Sequence, residues 1–135
     1  MARPAILWGL TPRVVVSATV VLSLISACTY FLMAGGVMHA GSLSAEDAPV
    51  FAAVFLGLCY LGVGVMAVFR RRWLLIAVIT GNALAVIGFF VAYASKPDVI
   101  ASIPGLMAKT SQVLLEIGLV YLLLALLRAK RSWVV

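Results

Sequence analysis

Four long apolar runs, separated by short polar stretches, organise the chain. They cover 14–37, 49–69, 73–94 and 106–127. A membrane-crossing helix needs roughly 20 mostly apolar residues, and each run meets that length. The stretches between them are HAGSLSAED, RRR and SKPDVIASIPG. Connections this short make sequential neighbours antiparallel. The pattern predicts one all-α domain over 1–135, an integral-membrane, antiparallel four-helix transmembrane bundle with short loops.

Composition strengthens this reading. Apolar residues make up 65% of the chain and charged residues 10%, whereas a soluble domain carries roughly 25% charged residues. Mean hydropathy is +1.22. The solvent for most of the surface is therefore lipid. The net charge of +6 does not point to nucleic acid, because the basic residues sit at the ends of apolar runs and form no single basic face. Cys28 and Cys59 both fall inside apolar runs and read as small apolar side chains of helices. The stretch Ile25–Cys28 matches a lipobox, but the apolar run continues beyond it through TYFLMAGGV.

Charge also sets the expected orientation. Arg3, Arg13, Arg70, Arg71, Arg72, Arg128, Lys130 and Arg131 collect on one side; Lys96, Lys109, Glu46, Asp47 and Asp98 fall on the other. Lysine and arginine concentrate on the cytoplasmic side of membrane proteins. This places both termini in the cytoplasm and the chain in a cell inner (cytoplasmic) membrane. Trp8, Trp73 and Trp133 then lie near the inner interface.

Depth brings the scattered polar residues together. At ~1.5 Å per residue, Glu116 lies ~18 Å above Arg128, Asn82 ~15 Å above Arg72, and Cys59 and Tyr60 ~15–17 Å above Arg70. By the same ~1.5 Å rise, Ser23 and Ser26 lie ~15–20 Å above Arg13. All fall in one layer near the middle of a ~30 Å hydrocarbon core. A carboxylate facing lipid there would cost about 2.5–3.5 kcal/mol, so Glu116 is expected to face protein. Asn82, a serine or a tyrosine of the layer is its expected partner, since no cation matches it in depth. Lys109, Gln112 and Glu116 are spaced i, i+3, i+7 and share one helix face. The candidate intramembrane polar site is thus Glu116, Asn82, Gln112, Ser23, Ser26 and Tyr60.

Two further features stand out. His39, Glu46, Asp47 and Lys109 form a candidate polar cap over the outer end of the bundle; the Lys109, Gln112 and Glu116 stripe could line a shallow, water-filled vestibule open to the outside, or be the helix face packed inwards with Lys109 snorkelling to the headgroups. Small residues at Ala77, Gly81, Ala85 and Gly88 on the third span, and Ala53, Gly57 and Gly64 beside Tyr60 on the second, permit close helix approach. Met38 and His39 could ligate Cu(I), but with one histidine and no paired-ligand motif no metal is expected. No cofactor is expected either. There is no phosphate-binding glycine loop, and His39 and Glu116 differ too much in depth for a hydrolytic triad, so an enzyme is not expected.

His39 ending the first span, Glu46-Asp47 before the second, Arg70-Arg71-Arg72 in the turn, Gly81-Asn82 in the third span and an acid in the fourth together resemble a loose group of uncharacterised prokaryotic four-span membrane proteins. The resemblance implies the same topology and no particular activity. The leading expectation is an accessory or structural subunit packing against other membrane proteins. The alternatives are a homo-oligomeric transporter or channel using Glu116, Gln112 and Asn82, and a bundle binding a quinone or lipid near Glu116 and Tyr121.

Overall fold

The computed structural model describes residues 11–42 and 50–131. The helices follow as α1 (Pro12–Ala34), α2 (Val50–Phe69), α3 (Arg72–Ala92), a single-turn α4 (Pro97–Ile100) and α5 (Ile103–Arg131). Pro12–Ala34, Val50–Phe69, Arg72–Ala92 and Ile103–Ala129 are each long and apolar enough to cross a membrane. The chain is an all-helical, multi-pass membrane protein. Trp8 and Trp133 lie outside the described residues.

Local chemistry sets the helix ends. Pro12 occupies the first turn of α1 after an extended Thr11, where a missing N–H costs nothing. The first span was expected to reach residue 37, yet α1 stops at Ala34. Gly36 adopts a left-handed conformation, φ 71°, and the Gly36 and Val37 amides turn back to the Met33 and Leu32 carbonyls at 3.1 and 2.9 Å. This is a Schellman stop: glycine and valine count as apolar, but their geometry ends the helix. At the opposite end, Arg70 takes φ 49° and reverses the chain between α2 and α3 almost without a loop. The fourth span was expected from residue 106 and instead begins at Ile103. Ser102 caps it, its Oγ accepting the Gly105 amide at 3.2 Å, an N-cap arrangement.

Packing centres on α1. It lies along both α2 and α5, α3 lies along α5, and α2 and α3 touch only lightly. Small residues explain the tight pairs. A Cβ added at Gly57 would come within 2.7 Å of the Phe31 ring, one at Gly64 within 2.5 Å of Ser23 Oγ, and one at Gly118 within 2.8 Å of Thr19 Oγ1. The small face of α2 therefore packs inward on α1. The small face of α3 does not: nothing lies within 4 Å of a Cβ at Gly81 or Gly88, and Ala77 is exposed. Leu75, Leu115, Leu119 and Leu122 fill the fully buried core beside Tyr60 and Ala67. Exposed Phe51, Phe69, Trp73, Leu84, Val91 and Ile117 give the exterior its apolar character.

The two loops at the Gly36 end are tied together. The Ser42 amide donates to Asp98 Oδ2 at 2.8 Å. The Ser42 hydroxyl, and then its amide, hold the Asp98 carboxyl below the usual carboxylate range.

A buried polar chain between four helices

Two hydrogen-bonded clusters meet inside the bundle. In the first, Lys109 Nζ of α5 donates to Gln112 Oε1 at 2.7 Å and to the Tyr30 hydroxyl of α1 at 3.3 Å. Gln112 Nε2 donates to the same hydroxyl at 2.9 Å. The Lys109 ammonium also stands 4.1 Å from the centroid of the Phe89 ring on α3, a cation–π contact. In the second cluster, the Tyr60 hydroxyl of α2 donates to Asn82 Oδ1 of α3 at 2.8 Å. Asn82 Nδ2 donates to the Gln112 backbone carbonyl at 3.0 Å and to Glu116 Oε2 at 2.8 Å.

The clusters are joined twice. Gln112 serves the first with its side chain and the second with its carbonyl. The Tyr30 and Tyr60 rings stack, with centroids 5.7 Å apart and planes 8° from parallel. All four long spans contribute, so the chain of contacts fixes their mutual register. Among the described residues, every buried side-chain nitrogen or oxygen has a partner, as a low-dielectric interior requires.

Glu116 therefore finds Asn82, the partner its depth suggested, and Gln112 and Tyr60 join them. Ser23 and Ser26 stand apart from these clusters. Ser23 Oγ donates to its own helix at the Val20 carbonyl, 2.8 Å away, and faces Gly64 of α2. Ser26 pairs with Ser111 at 2.8 Å, a separate α1–α5 contact.

Lys109 corrects two expectations. It belongs neither to an outer cap nor to the headgroups, being 7% exposed and committed to Gln112, Tyr30 and Phe89. Its ammonium is buried among these groups and makes no bond to Glu116 among the contacts of the polar chain. His39 is exposed and Met38 half-buried, while Glu46 and Asp47 lie outside the described residues. No group of three or more His, Cys, Asp or Glu side chains gathers among the described residues. Cys28 and Cys59 are free thiols on exposed helix faces.

Tyr30 and Phe89 were not anticipated. A signal for Tyr30 was present: Ser23, Ser26 and Tyr30 repeat the i, i+3, i+7 spacing of Lys109, Gln112 and Glu116, marking one polar face on α1 to match the one on α5. Phe89 offers no such signal, because an aromatic residue in an apolar span looks the same whether it meets lipid or an ammonium.

Glu116 is only half-buried. It lines a groove of about 270 Å³ between α3 and α5, walled by Ala83, Val86 and Ile87 on one side and Val113 and Ile117 on the other. Asn82 and Glu116 are the polar residues of that lining. Tyr121 is not part of it and packs instead against the core. The surface of the groove is almost wholly apolar, with the Asn82–Glu116 pair in its wall.

No known protein family, curated protein or solved structure matches the chain.

Proposed function

We propose that this membrane protein binds an amphipathic ligand drawn from the bilayer. The α3–α5 groove receives the ligand's apolar part and Glu116 its polar end. The observation carrying this reading is an aliphatic groove whose wall includes the half-buried Glu116, held by Asn82. Ligand sites combine apolar walls with a few fixed polar groups, and an acid within a membrane span is a functional position by default. The role is non-catalytic. The mutual satisfaction of Lys109, Gln112, Tyr30, Tyr60 and Asn82 weighs against a hydrated transport path, because those groups already spend their hydrogen bonds on one another. The positive-inside pattern favours the cytoplasmic membrane of a prokaryote, with both termini in the cytoplasm.

Native mass spectrometry of gently solubilised protein tests this. The wild type should retain a small lipophilic adduct that Ile117→Trp, filling the groove from its exposed wall, abolishes. Identical adduct patterns for the two proteins would overturn it.

A second reading, an accessory subunit, is favoured by one observation: the small face of α3 at Ala77, Gly81 and Gly88 has no neighbour within the described chain. Small residues let membrane helices approach closely, so another subunit's helix or a second copy would suit that face. Co-purification of a non-identical protein lost on Gly81→Leu would support this reading.

A further inference from the structure

We infer that the end of the bundle carrying the α2–α3 turn binds the headgroups of anionic phospholipids, with Arg70, Arg71 and Arg72 at the centre of the surface. This surface lies apart from the α3–α5 groove and does not depend on what the groove holds.

Packing gathers the basic residues at one end. Gly57 and Gly64 of α2 face Phe31 and Ser23 of α1, so the two helices are antiparallel. Gly118 of α5 faces Thr19 and Ser111 pairs with Ser26, so α5 is antiparallel to α1 as well. The start of α1, the α2–α3 turn and the end of α5 therefore share one end of the bundle. Arg13, Arg71, Arg72 and Arg128 are exposed there, with Arg70 half-buried beside them. The acids among the described residues are elsewhere. Asp98 is tied to Ser42 at the opposite, Gly36 end, and Glu116 is held by Asn82 within the spans. No described carboxylate offsets these guanidinium groups, so an anion from outside is their natural partner. The planar guanidinium fork matches phosphate oxygens two at a time.

Two aromatic side chains identify what carries the phosphate. Phe69 ends α2 and Trp73 lies in the first turn of α3, so they flank the three arginines. They are 64% and 65% exposed. An indole is comfortable at headgroup level in a bilayer, and a phenyl ring just below it. A lipid phosphate meets the arginines while its glycerol and upper chains meet the rings. Inorganic phosphate in water would leave both rings unused. A zwitterionic head carries its own cation next to the phosphate, which these arginines repel. An anionic head carries none, and the attraction grows with each basic residue at the surface.

Backbone geometry supplies a way to test this without disturbing the fold. Arg70 has φ 49°, a conformation that suits glycine, so Arg70→Gly removes a charge from the turn and relieves its backbone.

Trp73 is the reporter. Trp8→Phe and Trp133→Phe leave it the sole tryptophan of three. The full chain is reconstituted in mixed vesicles of phosphatidylcholine and phosphatidylglycerol, with bromine on the acyl chains of one lipid or the other. Quenching of Trp73 then gives the relative affinity of the two lipids at the turn. Phosphatidylglycerol should be preferred about fivefold or more, the gain from roughly one basic residue at a membrane surface. The preference should shrink in about 1 M NaCl, where charges are screened within ~3 Å. Arg71→Gln with Arg72→Gln should bring the two lipids close to parity. Arg70→Gly should weaken the preference while thermal unfolding shows the chain at least as stable as before. Lys96→Gln, at the other end, should leave the preference unchanged. Equal quenching by both brominated lipids in the starting protein would overturn the inference. So would a preference that survives both Arg70→Gly and the double glutamine variant.

Discussion

Tyr30 and Tyr60 lie face to face, with ring centroids 5.7 Å apart, yet their hydroxyls play opposite parts. The Tyr30 oxygen accepts from Lys109 and Gln112; the Tyr60 hydroxyl donates to Asn82. The stacked pair is where a cluster ending in an ammonium meets a cluster ending in a carboxylate. Phenylalanine at either position keeps the ring and removes one role, so the two substitutions report the two clusters separately.

Tyr60→Phe leaves Asn82 Oδ1 buried without its donor and should cost about 1–2 kcal/mol. Tyr30→Phe strands two donors, one of them charged, and should cost more, about 2–3 kcal/mol. Reversible unfolding in mixed micelles, followed by circular dichroism, measures both. Equal losses, or a larger loss for Tyr60→Phe, would mean that the hydroxyls do not divide the network in this way.

Asn82 binds three partners on two helices, so Asn82→Leu should lower stability more than any single hydroxyl deletion. Its coupling to Glu116 is separable. In a double-mutant cycle of Asn82→Leu with Glu116→Gln, residues sharing a hydrogen bond show an interaction energy of about 0.5 kcal/mol or more. Additive losses would show that the 2.8 Å contact carries no energy.

Much of this was legible in the sequence, and the failures have physical causes. The four spans follow from run length, because lipid imposes one length on every crossing helix. The Asn82–Glu116 pair follows from counting rise upward from Arg72 and Arg128, since both anchors lie at the same end. Charge alone suggested an outer cap for Lys109, but its ammonium turns inward to Gln112, Tyr30 and Phe89. Counting rise also says nothing about rotation around α1, which turns the Ser23 hydroxyl to Gly64 and not to Asn82. The end of α1 was overrun because hydropathy scores Gly35, Gly36 and Val37 by composition, whereas a positive φ stops the helix.

Close packing of α1 on α2 yields a prediction with its own rescue. A methyl at Gly64 would meet Ser23 Oγ at 2.5 Å while staying 3.7 Å from Ser23 Cβ. Gly64→Ala should therefore destabilise by about 1–3 kcal/mol, as overpacking does, and adding Ser23→Ala should restore most of the loss. Gly81→Ala, with open space around it, should leave the isolated chain within about 0.5 kcal/mol of wild type. A Gly64→Ala defect that Ser23→Ala does not relieve would place the clash elsewhere.

The link between the loops should respond to acid. Asp98 titrates below the ordinary carboxylate value of ~3.9 because the Ser42 hydroxyl and amide hydrogen-bond its charged form. Since its folded pKa is depressed, the contact contributes fully above ~3.9 and fades as pH falls through the lower folded value. Gly41 makes the contact possible: its φ is 58° and an added Cβ would come within 2.8 Å of the Asp98 carbonyl oxygen. Protection of the Ser42 amide against hydrogen exchange reads the link directly. That protection should be constant from neutral pH down to about pH 5 and should fall only in the acid range below the ordinary carboxylate value. Asp98→Asn should lower it at neutral pH and remove the acid step. Unchanged Ser42 protection in Asp98→Asn would show that the loops are joined by packing alone.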